Sequence, residues 1–140
     1  MGILVKVMTP KKSVFEGIAE EIIIPGLDGE IGVLEGHAAL ITILNTGLCR
    51  IKAEGIWTPV ILNGGLAEVV GDRVTLLVPE VEELYDVTIE EVASDLEKAI
   101  SNLEKGKIED ENDKNLLELY QDIQKKRARF EGVKYLSKNS

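Results

Sequence analysis

The chain has 140 residues, 44% of them apolar and 29% charged, which suits one ordinary core with an appendage and argues against broad disorder. A net charge of −9 disfavours nonspecific nucleic-acid binding, and no apolar run approaches the ~18 residues of a membrane-spanning helix. With one cysteine (Cys49) and one histidine (His37), an internal disulfide, a Cys/His zinc site and a two-histidine dyad are all out of reach.

Residues 1–84 hold 11 of the 13 glycines and all four prolines, with short β-branched runs between these breakers. The start, through Met8, contains Lys6 and no long apolar block, so it reads as a strand rather than a signal peptide. Strands are predicted at Ile3–Met8, Ile18–Ile24, Leu40–Leu44, Leu48–Ala53, Ile56–Leu62, Leu66–Val70 and Val74–Val78. Turn chemistry separates them at Pro25-Gly26-Leu27-Asp28-Gly29, Asn45-Thr46-Gly47, Glu54-Gly55, Asn63-Gly64-Gly65 and Gly71-Asp72. Many short strands with close turns predict an antiparallel sandwich or barrel. Cys49 lies inside one of these apolar runs and reads as a small core residue.

The hydrophobic period changes at Thr88. Ile89, Val92, Ala93, Leu96, Ala99, Ile100 and Leu103 step by three and four, an apolar helical stripe. Thr88 followed by Glu91 is a capping-box pattern, and Gly106 is the expected stop. A polar connection to Asn112 precedes a second stripe, with Asp113 in its first turn and Leu116, Leu119, Tyr120, Ile123 and Phe130 on one side. That helix is expected to end near Gly132. The short connection makes the pair an antiparallel hairpin. Its narrow seam, interrupted near Arg127, requires support from the β-domain or a partner. A fixed flank and a switch between two resting surfaces both fit this pattern.

Charge is unevenly placed: net −6 over residues 1–84, −8 over 85–124 and +5 over 125–140. The basic tail, with Lys125, Lys126, Arg127 and Arg129, suits an acidic protein surface or anionic headgroups; the helix dipole accounts for only part of it. No phosphate loop, serine elbow or calcium-loop spacing is present. No catalytic, cofactor-binding or metal-binding residue is expected. The segment Gly29-Glu30-Ile31-Gly32-Val33-Leu34-Glu35-Gly36-His37-Ala38 combines backbone-permissive glycine with aliphatics, as a protein-docking loop requires; a hairpin with its aliphatics turned inward is the plain alternative.

GEIGVLEGHA, preceded by PGLDG and followed by ALIT, resembles the signature loop of the epsilon subunit of rotary proton-translocating ATP synthases. VMTP, TGLCRIK, WTPVILNGGLAEV and DRVTLLV resemble its other strands, and PGLDGEIGVLEGHA with the closing GVKYLS resembles plastid and cyanobacterial members. The resemblance spans residues 3–136. It implies a β-sandwich of about ten short strands over residues 1–86 and a regulatory helical hairpin over 87–140. It implies a non-catalytic, cofactor-free rotor subunit on the stromal or cytoplasmic face of the thylakoid membrane, reaching the membrane only through the complex. The implied partners are the gamma subunit, the c-subunit ring and, for the basic tail, an acidic surface of a catalytic subunit. Carried over by position, Glu30, Ile31, Gly32, Val33 and Leu34 face the c ring, and His37 lies near the gamma and c-ring junction. The Asn63-Gly64-Gly65-Leu66-Ala67 stretch supports the gamma-facing side, and Lys125, Lys126, Arg127 and Arg129 are the cations of an inhibitory tail. One departure stands out: where some members open the first helix with an ATP-binding I/L-D-x-x-R-A motif, this chain has Ile89-Glu90-Glu91-Val92-Ala93-Ser94 and lacks the phosphate-pairing arginine. A free-standing ligand-binding sandwich is the alternative, although six aromatics in the whole chain furnish little of a sugar-stacking face.

Overall fold

A computed structural model describes residues 2–82, 88–109 and 115–138. Eight strands precede two helices: β1 (Ile3–Met8), β2 (Ser13–Ala19), β3 (Glu21–Gly26), β4 (Gly29–Val33), β5 (Leu40–Ala53), β6 (Ile56–Val70), β7 (Arg73–Leu77), β8 (Val81–Glu82), α1 (Ile89–Glu109) and α2 (Asn115–Lys138). The strands run in the order β2-β1-β7-β6-β5-β3-β4, with β8 on β6. All pairings are antiparallel except β1 with β7.

Two of the expected turns are not turns. Asn45-Thr46-Gly47 lies inside β5 and Asn63-Gly64-Gly65 inside β6. The two sites face each other, since Leu44 pairs with Gly65 and Thr46 with Asn63. The inward-facing parity changes there on both strands. Leu44 and Ala67 point into the core on one side of the kink; Cys49, Ile51, Val60 and Leu62 do so on the other. Each long strand therefore passes from one layer of the sandwich to the other, and eight continuous strands supply ten strand segments. Glycine makes the crossing possible. Gly64 and Gly65 have φ of 81° and 123°, and a Cβ on Gly65 would lie 2.4 Å from the Leu77 carbonyl oxygen. The expected strand Ile18–Ile24 is likewise two strands, divided at Glu20.

The core is aliphatic and shared by the two layers. Ile3, Val5, Val7, Val69, Val74 and Leu76 meet Ile22, Ile24, Val33, Ile51 and Leu62, all essentially excluded from solvent. Each such side chain contributes about 1.5–3 kcal/mol of burial free energy.

The Glu91 amide donates to the Thr88 hydroxyl at 3.2 Å, so the cap expected before α1 is in place. Neither glycine ends its helix: α1 continues through Gly106 to Glu109, and α2 through Gly132 to Lys138. Gly132 is buried four residues beyond Ala128, which packs on the sheet, so tertiary contact outweighs its poor helix propensity of about 1 kcal/mol. The interruption near Arg127 also has a cause. Leu119 and Ile123 pack against Leu96, Ala99 and Leu103 of α1. Ala128, Phe130, Val133 and Tyr135 pack instead with Leu48, Ile61 and Val92. One helix buries two successive faces, first against its neighbour and then against the sandwich. Asp113 and the boundary expected at 86/87 lie outside the described residues, as does the side chain of Leu116.

Candidate docking site

The Pro25–Ala38 region folds as expected of a hairpin, and its alternation sorts the proposed contacts. β3 and β4 join through Leu27-Asp28, with Gly26 paired to Gly29 and Ile22 to Val33. Gly29 sits at φ 136°, and a Cβ on Gly26 would come within 2.7 Å of the Gly29 carbonyl oxygen. Val33 points into the core with 0% exposure, and Ile31 packs against that core from its edge. Glu30, Gly32 and Leu34 face solvent, Leu34 at 55% exposure. Val33, expected at a partner surface, is therefore a core residue. A strand of period two cannot turn five consecutive side chains the same way.

His37 follows in a tight loop, where its amide donates to the Leu34 carbonyl at 3.2 Å. Its Nδ1 lies 2.7 Å from the Ala38 carbonyl, an acceptor only, so Nδ1 carries the proton. The Gly36 amide donates to Asp72 Oδ1 at 2.9 Å, tying this loop to the β6–β7 turn.

Pattern reading did not isolate a second feature, the outer face of the layer built from β2, β1, β7 and the distal halves of β6 and β5. Ile43 pairs with Leu66, Leu66 with Leu77, and Leu77 with Met8. These four form an unbroken apolar row across four strands, with Ile43, Leu66 and Leu77 each 40–57% exposed. An apolar groove of about 530 Å³ opens at the end of the row, between Met8, Pro10, Leu66, Leu77 and Pro79. The row was hidden because its members are eleven or more residues apart in sequence and align only through pairing.

The outer face of the other layer is closed by α2. Leu48 and Ile61 are buried beneath it, while Arg50 and Trp57 meet Tyr135. Arg129 Nε lies 2.9 Å from Glu82 Oε1, and Nη1 lies 3.8 Å from Asp95 Oδ2. The Nε–H is not aimed along the shorter contact, so this is a charge contact rather than an aligned hydrogen bond. Lys126 pairs with Asp122 one turn earlier on the same helix, and Lys125 and Arg127 are exposed. The basic tail thus splits in this posture, with Arg129 engaged inside the chain.

No group of three or more potential metal ligands occurs among the described residues. Cys49 is fully enclosed, and burial pushes its thiol up to about 12, leaving it protonated and unreactive at neutral pH.

Residues 3–84 match the model of the ATP synthase delta/epsilon chain, β-sandwich domain. The chain is also 48% identical, over 133 residues, to the chloroplastic ATP synthase epsilon chain of Phaeodactylum tricornutum, covering 95% of this chain and 97% of that one. The chain belongs to the ATP synthase epsilon family. It is 36% identical over 135 residues to the ATP synthase epsilon chain of the cyanobacterium Prochlorococcus marinus MIT 9211, covering 96% of this chain and 98% of that one. A chain in the Euglena gracilis mitochondrial ATP synthase structure shares the fold, with a TM-score of 0.66 at 21% identity over 98% of this chain and 80% of that one. Like other epsilon chains, this one is a non-catalytic subunit of the synthase, of the type found in plastids and cyanobacteria.

Proposed function

We propose that this epsilon chain works as a rotor coupling. Its sandwich is clamped between the gamma subunit and the c ring at the stromal or cytoplasmic face of the thylakoid membrane, and its helices restrain ATP hydrolysis. The observation that carries this reading is the asymmetry of the sandwich. One outer face is closed by the chain's own helices; the other presents the uncovered row Met8–Leu77–Leu66–Ile43. An apolar row of this kind, continuous with a groove, is what a stable protein interface buries at its centre. Gamma is assigned to this face, and the c ring to the exposed edge formed by Glu30, Gly32 and Leu34. Ile31 and Val33 support that edge from within, and His37 sits in the loop that leaves it.

Leu66→Asp on the full chain tests the assignment. Leu66 is half exposed, so folding should survive, while a charge in the middle of a desolvated row should cost on the order of 2–4 kcal/mol of binding. Co-purification with gamma should be lost. Retention of gamma by the variant at wild-type affinity overturns the assignment.

The restraining role fits the tail. Lys125 and Arg127 are already available to an acidic catalytic-subunit surface, whereas Arg129 joins them only when α2 leaves the sandwich. ATP is not the ligand that sets the posture by way of the start of α1. The cleft there is lined by Glu90, Glu91 and Asp95 against one cation, Lys98, which repels a triphosphate. Calorimetric titration of the chain with ATP should show no tight binding.

A further inference from the structure

Arg50 lies on β5 beneath the end of α2, and its guanidinium is engaged at both ends of its fork. Nη1 donates to the Tyr135 hydroxyl of α2, and Nη2 donates to Glu30 Oε2 of the β3–β4 hairpin. The guanidinium carbon also stands 5.0 Å from the centre of the Tyr135 ring. The Arg50 side chain is 14% exposed, whereas its carboxylate partner on Glu30 is 62% exposed. One largely buried cation thus joins a residue in reach of a partner to a residue that fastens the C-terminal helix.

The chemistry of the fork makes this more than two separate contacts. A guanidinium is rigid and planar, so positions that satisfy one end fix the direction of the other. Among the described residues Arg50 Nε is buried without a hydrogen-bond acceptor, so the cation is held through its two terminal nitrogens. Removing the Glu30 carboxylate leaves a largely buried charge with one of its anchors gone, and the side chain must turn toward solvent to recover hydration. Tyr135 then loses the hydrogen bond from Arg50 and the cation against its ring. Trp57, whose ring centre is 6.4 Å from that of Tyr135 in an edge-on arrangement, is the next group to move.

We infer that Arg50 is a positioning residue that couples the docking hairpin to α2: the state of the Glu30 carboxylate sets how firmly Tyr135 holds the end of the helix. A partner donor that recruits Glu30 loosens α2, and release of Glu30 fastens it again. The consequence for the assembled motor rests on the docking reading above; the coupling itself is a property of the isolated chain.

The test is a double-mutant cycle on the full-length chain with Glu30→Gln and Tyr135→Phe, the two groups that Arg50 joins. The first readout is hydrogen exchange of the amides from Ala128 to Tyr135. The second is the emission of Trp57, the sole tryptophan. Each single variant should raise opening of this segment by roughly fivefold, and the double variant should exceed the larger single effect by less than twofold, as residues in one network behave. In an Arg50→Met background, Glu30→Gln should have no further effect. Multiplicative effects in the cycle overturn the coupling, as does unchanged exchange at Ala128–Tyr135 in Glu30→Gln. Should Arg50→Met fail to fold, the two mild substitutions still decide the question. Because no partner is present, a negative result here leaves the gamma and c-ring assignment standing, and loss of that assignment leaves the coupling standing.

Discussion

Replacing Arg129 with Gln removes one charge and keeps most of the side-chain stem, which isolates the electrostatic contribution to helix docking. Arg129 reaches Glu82 on β8 and Asp95 on α1, so it ties α2 to both, beside the apolar seams that join α2 to α1 and to the sandwich. An exposed ion pair contributes about 0.2–1 kcal/mol. Arg129 is only 22% exposed and serves two carboxylates, which places its contribution at about 1–2 kcal/mol. Release of α2 from the sandwich should therefore become roughly 5–30-fold more frequent. Native-state hydrogen exchange measures this directly: amides over residues 119–135 should exchange faster in Arg129→Gln, while those of β1 and β7 should keep their protection. Lys126→Gln is the control, because its partner Asp122 sits on the same helix at 3.9 Å and contributes nothing to docking. About 1 M salt, with a Debye length near 3 Å, should bring the wild type part of the way toward the variant. Wild-type exchange in Arg129→Gln would refute the idea that this cation fastens the hairpin.

Gly65→Ala should destabilise the sandwich by about 2–4 kcal/mol in urea denaturation, because the new Cβ meets the Leu77 carbonyl at 2.4 Å in a backbone region closed to alanine. Gly64→Ala, whose Cβ would have only one neighbour at 3.9 Å, should cost less. Val33→Ala should lower stability by about 1–3 kcal/mol through the cavity it leaves, whereas Leu34→Ala should change stability by less than about 0.5 kcal/mol and weaken docking instead. The Cys49 thiol has its pKa raised by burial from 9.0 to about 12, so the folded state favours the protonated form. Its stabilising contribution is complete below pH 9 and is lost as pH rises from 9 towards 12, at up to about 1.4 kcal/mol per unit. The gap in urea midpoint between the wild type and Cys49→Ala should narrow over that window; a gap independent of pH counts against the buried-thiol explanation.

Much of this molecule is local, and the sequence alone determined those parts. Strand or helix follows from whether apolar residues repeat every second or every third and fourth position. The change of period at Thr88 separates β from α, and Thr88 itself caps α1 through its hydroxyl. The Leu27-Asp28 turn follows from the glycines that flank it, and the GEIGVLEGHA stretch carried the family. Tertiary structure decided what glycine meant elsewhere. Asn45-Thr46-Gly47 and Asn63-Gly64-Gly65 have the composition of turns, yet they lie opposite each other in register, so continued pairing satisfies backbone groups that two separate turns would expose. Gly132 looks like a helix stop, but contact with the sheet keeps the helix going past it. The apolar row Met8–Leu77–Leu66–Ile43 and the Glu30–Arg50–Tyr135 bridge join residues that sequence separation keeps far apart. Periodicity records which way a side chain faces relative to its neighbours in the chain; only strand pairing and helix docking determine what it then meets.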